Sequence, residues 1–527
     1  MKPTRRRLVT AAVAGPALLV VPRLGRSQPA RVLRFVPQAD LAVLDPIWTT
    51  ATVTSTHALM VFDTLYALDE HYRPHPQMVA GHTIDDDGRT WTLRLRDGLR
   101  FHDGEPVRGR DAVASIRRWA ARDMFGQELL AVADEIAAPD DRTVRLRLKR
   151  PFPLLPQLLG KVTPSMCAIM PERLAQTDPS KQVTEMVGSG PFRFLPGERV
   201  AGARAAYARF EGYVPRTDGT ASRTAGPKIA HFDRVEWQVI PDQATAAAAL
   251  QTGEVDWLDT VSSDLLPFLR RSAAVTASYT DDRSAYLLRF NHLHPPFDDP
   301  AVRHALLGAV NQTDFMVAAY GDNPQAWRVN TGYFLAGTPM ASDAGMEALT
   351  SPHDPKRTAR DLAAAGYRGE RVVLLQPEDF PTIKALTEVA ADMLRQVGMN
   401  VDVQSADWGT VVQRRASREP PDKGGWNMFA TGTTTTLDPS GHLGLRGNGD
   451  KAWFGWPSNP RLEAMRQDWI SAPDLASQQA VCRAMQAQAF ADVPYLPLGE
   501  AVRLTAFRKE LSGFPTGAIA FYGLKRG

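Results

Sequence analysis

Few residue sets in this sequence have both the types and the spacing that chemistry requires. Gly188-Ser189-Gly190 places a hydroxyl between two glycines, but the spacing is not that of a nucleophile elbow. No glycine-rich run followed by Lys and Ser or Thr is present to cradle a phosphate. A turn ahead of a strand accounts for these glycines. Asp85-Asp86-Asp87-Gly88 is as acidic as a calcium loop but lacks the alternating ligands and the distal Glu, so a solvated turn is expected. His292 and His294 flank Leu293 at strand spacing and share a face; with no third ligand nearby, no metal site is expected. Cys167 and Cys482 are the only cysteines, too few for a Cys-based zinc or iron-sulfur site and expected as buried thiols rather than a pair. Neither catalysis nor a bound cofactor is predicted. The aromatic residues are more informative. Of eleven Trp, Trp408, Trp426, Trp453 and Trp456 fall between residues 400 and 460 beside Gly-, Thr- and Asn-rich loops. Such residues either fill a core or wall a small-molecule cleft. Trp453 and Trp426 are the foremost wall candidates, because the Gly-rich stretch 448–457 gives a tryptophan little core to fill.

The elements that must hold these residues read as mixed α/β. Residues 89–96 and 143–149 alternate polar and apolar, as half-buried strands do, and 110–122 between them has helical spacing. Further helices are predicted over 242–251, 300–320, 355–365, 382–397, 459–470 and 474–491, with Gly253, Gly321, Gly366 and Gly398 just past four of them. Short strands at 372–376, 401–404 and 428–431 alternate with the helices, which implies crossover units. The stretches 199–230, 323–352 and 419–425 are expected as long loops, where ligands are often met.

A chain of 527 residues, 44% hydrophobic and 23% charged, is globular and too long for one core, so at least two lobes are expected. The formal charge is +3, but six basic residues and no acid fall in the first 30; without them it becomes −3. A mildly acidic body excludes nucleic acid and anionic membrane as principal partners. The first 30 residues themselves have a basic start, an apolar run and small residues near 27–30, the layout of a cleaved secretory signal. Arg5-Arg6-Arg7-Leu8-Val9 is similar to a twin-arginine export motif, with Arg5 and Arg6 as its pair. An ordinary signal with a basic start is the alternative. No Cys follows the apolar run, so no lipid anchor is expected.

The segment DDDGRTWTLRLRDGLRFHDGEPVRGRDAVASIRRW from Asp85 resembles the signature of the family 5 extracellular solute-binding proteins, the dipeptide, oligopeptide and nickel receptors of ABC importers. Colinear segments extend the likeness along nearly the whole mature chain: Leu44-Asp45-Pro46, Gly188-Ser189-Gly190-Pro191-Phe192, LQTGEVD from Leu250, Pro295-Pro296-Phe297-Asp298-Asp299-Pro300, Gln396-Val397-Gly398-Met399 and Val493-Pro494-Tyr495-Leu496-Pro497. The resemblance implies an α/β, two-lobe periplasmic-binding-protein fold of class II type, with an extra subdomain inserted in the first lobe and a hinge between the lobes. Carried onto this chain, residues 1–30 are the signal, 31–55, 185–282 and 488–527 the first lobe, 56–184 the inserted subdomain, and 283–487 the second lobe.

The resemblance also implies a function: a periplasmic receptor, monomeric and without enzymatic activity, that binds a small organic solute between its lobes and delivers it to the membrane subunits of an ABC permease. A receptor for nickel or another metal complex is the alternative, and a twin-arginine-exported hydrolase a more distant one. In peptide-binding relatives an acid holds the ligand's ammonium group; aligning Asp438-Pro439 with the end of that motif sets the uncharged Thr435 in its place. Free-N-terminus peptides are therefore disfavoured, unless the loop slips and Asp438 serves instead. Arg328 falls where some relatives hold a ligand carboxylate, and Trp48, after Leu44-Asp45-Pro46, is expected to face the cleft from the first lobe. Together with Trp408, Trp426 and Trp453 these are the candidate contacts.

Overall fold

A computed structural model describes residues 31–527 except 164, 435, 473 and 516–519, with backbone alone at 281 and 282. The export pair Arg5 and Arg6 and the expected contact Thr435 thus lie outside the described residues.

The alternating segments form the strands Thr90–Leu95 and Thr143–Leu148, paired antiparallel with Trp91 opposite Leu146 and Leu93 opposite Val144. Period-two alternation sets Trp91, Leu93, Leu95, Val144, Leu146 and Leu148 on one buried face. Ala112, Ile116 and Trp119 of the helix Gly109–Ala120 are buried in the same core. Val79–Asp85 and Ala133–Asp140 flank the pair to complete a four-stranded sheet, separate from the main one.

The main sheet runs through both halves of the molecule. Its order is Asn400–Ala406, Arg371–Pro377, Met428–Thr433, Val275–Phe290, Tyr495–Arg508, Trp257–Leu258, Val32–Val36, Arg234–Gln238, Arg204–Arg209 and Phe192–Phe194, with Trp327–Arg328 also paired to Tyr495–Arg508. Within each half the inner pairs are parallel, Val32–Val36 with Arg234–Gln238 and Trp257–Leu258, and Arg371–Pro377 with Asn400–Ala406 and Met428–Thr433. Parallel neighbours need crossovers, and the helices Gln243–Thr252, Pro381–Gln396 and Trp408–Arg414 provide them. The two long antiparallel strands, Val275–Phe290 and Tyr495–Arg508, join the halves, and their pairing shifts register between Tyr279 and Arg283 and again between Tyr286 and Leu287. The expected division at 282/283 falls inside the first of them.

Two expectations change. The helix predicted over 300–320 is broken into Pro300–Ala305, a 3-10 turn Leu306–Ala309 and Gln312–Tyr320, because Asn311 leaves helical geometry and its side chain accepts from Thr313 N to cap the next helix. The predicted loop 199–230 contains the strand Arg204–Arg209, paired between Arg234–Gln238 and Phe192–Phe194, and 323–352 contains Trp327–Arg328.

The motifs shared with the resemblance are mostly scaffold. Asp45 is buried against Arg118, at 2.6 and 3.2 Å, and accepts from the amide of Val183 at 2.8 Å. Gly188 and Gly190 back onto the end of the helix Thr52–Val61; a Cβ on Gly188 would lie 1.9 Å from Val61 O. Ser189 donates to Ile169 O and accepts from Asp63 N. His102 reaches the same turn, accepting from Gly188 N at Nδ1 and donating from Nε2 to Gly190 O. The helix Met124–Val132 also touches the second half: its Glu128 accepts from Gln467 Nε2 at 2.7 Å and lies 3.6 Å from Arg446, which pairs with Glu463 at 3.0 Å. Cys167 and Cys482 are buried as separate thiols. Among the described residues no helix is long and apolar enough to cross a membrane.

Candidate ligand-binding site

In open α/β sheets ligands sit off the carboxyl ends of parallel strands, and both halves present those ends to one cleft. From the first half come Gln38 and Ala39, past Val32–Val36, and the segment Thr50–Ser55, which enters the helix Thr52–Val61. From the second half come Phe380 and Ile383 past Arg371–Pro377, Trp408 past Asn400–Ala406, and Thr431–Thr434 at the end of Met428–Thr433. Tyr286 of the long strand Val275–Phe290 also lines it. The central chamber so formed holds about 1020 Å³ of space open to solvent. It continues on one side into a chamber of about 1150 Å³ and on the other into one of about 650 Å³, and Thr434 lines all three.

Among the described residues lining the central chamber, Arg415 is the single charged side chain. It is 4% exposed. Its guanidinium lies 4.9 Å from the ring of Phe454, 5.7 Å from those of Trp408 and Phe429, and 5.9 Å from that of Trp453. None of the described residues offers it a carboxylate, and its Nε is buried without a hydrogen-bond partner. Burial pulls its pKa down to about 10, so it is still a cation at neutral pH. Aromatic faces attract a guanidinium but do not replace its water, and an uncompensated buried cation costs several kcal/mol. A planar fork in this state suits an anionic oxygen pair, above all a carboxylate. Trp453 Nε1, in the same wall, is a second buried donor without a partner.

The local sequence explains the placement. Asp407 caps the helix Trp408–Arg414 by accepting from Thr410 N. Trp408, buried Val411 and Arg415 follow at i, i+3 and i+7, one face of the helix and its final turn. Arg415 therefore sits on the apolar stripe. Its neighbour Arg414 points elsewhere and donates to Gly424 O and Gly425 O. Sequence reading missed Arg415; the signal present was an arginine in step with a tryptophan on an otherwise apolar face.

Of the expected contacts, Trp408 and Trp453 line the central chamber. Trp426 does not: it is fully buried in a satellite core with Val373, Val411, Phe429 and Trp456, and its Nε1 donates to Ser417 O. Trp48 is also absent from the lining, its ring taken by the Arg122 guanidinium at 4.7 Å. Arg328 is exposed on the short strand that pairs with Ala501 and Glu500, and lines none of the three chambers. Asp438 lies in the smallest chamber with Lys161 and Arg223, where Oδ1 accepts from Ser440 N. His292 and His294, expected to share a strand face, each hydrogen-bond a backbone carbonyl instead, of Pro494 and Arg418.

Known proteins agree with this architecture. The chain is 39% identical over 519 residues to a probable peptide ABC transporter periplasmic-binding protein of Sinorhizobium fredii, covering 97% of each. It is 26% identical to the glutathione-binding protein GsiB of Pectobacterium atrosepticum, over 89% of each. Among solved structures it is similar to the binding protein AgaA of A. tumefaciens R10 in complex with agropinic acid, with a TM-score of 0.79 and 20% identity over 94% of this chain and 99% of that one. It is also similar to a dipeptide-binding protein of Pseudoalteromonas sp. SM9913 in complex with Met-Leu, with a TM-score of 0.77 and 18% identity over 94% and 100%. The two-lobe binding-protein fold follows from these likenesses. Residues 73–452 match the model of the bacterial extracellular solute-binding proteins, family 5, and with the near-full-length likeness above this places the chain in that family.

Proposed function

We propose that this solute-binding protein is the periplasmic receptor of an ABC importer and encloses a small organic solute whose carboxylate is held by Arg415 between the faces of Trp408 and Trp453. The observation that carries this reading is the buried guanidinium without a counterion, the sole charge among the described residues lining the central chamber. Among the described residues no carboxylate lines that chamber to receive an ammonium group, so a free α-amino group is not a requirement for binding in this reading. Peptide-like acids remain within the class, as do other organic acids; relatives in the comparisons are named for peptides, and one solved structure holds agropinic acid. The lobes divide near the register shifts of the long strands, and the receptor acts as a monomer that delivers its solute to the permease. Calorimetry with one dipeptide library in free, N-acetylated and C-amidated forms tests the reading. N-acetylation is expected to preserve binding and C-amidation to abolish it; the reverse pattern would point to Asp438 and reject Arg415 as the anchor.

Export by the twin-arginine route, with cleavage of the first 30 residues and no lipid anchor, belongs to the same proposal. Changing Arg5 and Arg6 to Lys is expected to stop periplasmic accumulation, and unchanged periplasmic yield would assign export to the general secretory route.

A further inference from the structure

The chamber of about 1150 Å³ beside the central one has a different lining. The first half contributes Gln38, Thr52, Gln243, Thr260, Ser262 and Ser263. Ser284 and Tyr286 of the long strand, Thr382 and Thr434 face them from the other side. Five of these groups or their neighbours, Gln38, Thr52, Ser284, Tyr286 and Thr434, also line the central chamber, so the two spaces are continuous. Arg503, the cation on this wall, is engaged by Asp259 at 3.3 Å, and Asp264 is exposed. Thr260 Oγ1 is buried without a hydrogen-bond partner.

A ligand entering this space meets hydroxyl and amide groups from both sides. Each of them both donates and accepts. An apolar substituent would pack on Val261, Val317, Ala319 and Leu504 but strip water from the hydroxyls and amides between them, at a cost for every group left unpaired. Tyr286 OH already pairs with Tyr320 OH and Gln243 Oε1 accepts from Ser262 N, but ligand hydroxyls can pair with the remaining hydroxyl and amide groups, while the ring of Tyr286 and the aliphatic lining offer apolar faces for the carbons between them. We infer that the solute is a carboxylate joined to a polyhydroxylated chain or sugar, with the acid on Arg415 and the hydroxyls in this side chamber. The inference rests on the reading of Arg415 proposed above and adds the substrate class. Because the hydroxyl wall is split between the two halves, such a ligand gains its full set of bonds when both halves surround it.

Three probes of one carbon count separate the parts: gluconate, hexanoate without the hydroxyls, and sorbitol without the acid. In calorimetry gluconate is expected to bind at least tenfold more tightly than either of the others. Thr260→Val keeps the side-chain shape and is expected to weaken gluconate several-fold while leaving hexanoate unchanged. Hexanoate binding as tightly as gluconate, or an equal loss for both acids in the variant, would overturn the polyol assignment and leave Arg415 as an anion anchor. Failure of both acids to bind would overturn the anchor and the assignment together.

Discussion

Arg415 and Trp426 show how far residue type alone determines role. Both are large and nine-tenths or more buried, yet one lines the cleft and the other fills a core beneath it. Replacing Arg415 by Met removes the proposed anion anchor and an uncompensated buried charge at once. Solute affinity is expected to fall by more than a hundredfold while the unliganded protein holds or gains thermal stability, since apolar replacement of buried charge is often neutral or stabilising. Calorimetry and a melting curve on the same variant check both arms, and a destabilised variant would assign Arg415 a structural role. Trp453→Ala and Trp426→Ala should separate in the same way. The first is expected to cost on the order of 2 kcal/mol of binding, the second about 3–5 kcal/mol of folding stability with the contacts of the cleft wall retained. Trp453 was legible in the sequence because a glycine-rich loop offers a tryptophan little to pack on. Trp426 was misread for a related reason: the glycines before it form a turn, while the strand Met428–Thr433 that follows carries it under the sheet. Thr435 and Asp438 rested on an alignment through a threonine run with no internal landmark.

At the scale of elements, the alternating strands, the helix between them and the crossover helices Gln243–Thr252 and Pro381–Gln396 were legible, because period two and period 3.6 are set by one buried face each; the crossover helix Trp408–Arg414, barely two turns long, was not. The broken helix at 300–320 was not, since its apolar spacing continues across the break and the capping Asn311 is a single residue. The signature motifs were legible as markers but not as parts. The turn of Gly188 and Gly190 and the signature residue His102 are distant in sequence and bonded in space. His102 must be neutral to accept from Gly188 N, and burial lowers its pKa to about 4. His57 and His442 are likewise lowered to about 3 by burial. The unfolded chain takes up protons near pH 6.5 and the native one does not, so stability is complete above pH 6.5 and falls as the pH drops towards 4. The expected loss is on the order of 2 kcal/mol per imidazole between pH 6.5 and 5. Urea midpoints at pH 7.5 and 5 measure it, and equal midpoints would exclude these histidines as the acid-sensitive groups.

For the whole molecule, two sheet halves joined by two long strands with register shifts make a hinge at the strands and a cleft beside them. Solute binding is expected to reduce the radius of gyration in small-angle scattering, because the cleft wall is split between the halves; an unchanged radius at saturation would rule out closure. The contact of Glu128 with Gln467 and Arg446 is made by groups that line none of the three chambers, so it holds the helix Met124–Val132 to the second half away from any solute in them. Its consequence lies at the membrane. A contact that draws the two sides together independently of cargo favours closure without solute, and a receptor closed in that way would offer the permease the same outer face as a loaded one and occupy it unproductively. In proteoliposomes with fixed solute, uptake is then expected to pass through a maximum as receptor is added. Glu128→Gln, which weakens the clasp, should move that maximum to higher receptor concentration, whereas a steady rise with no maximum would mean that vacant receptors do not compete for the translocator.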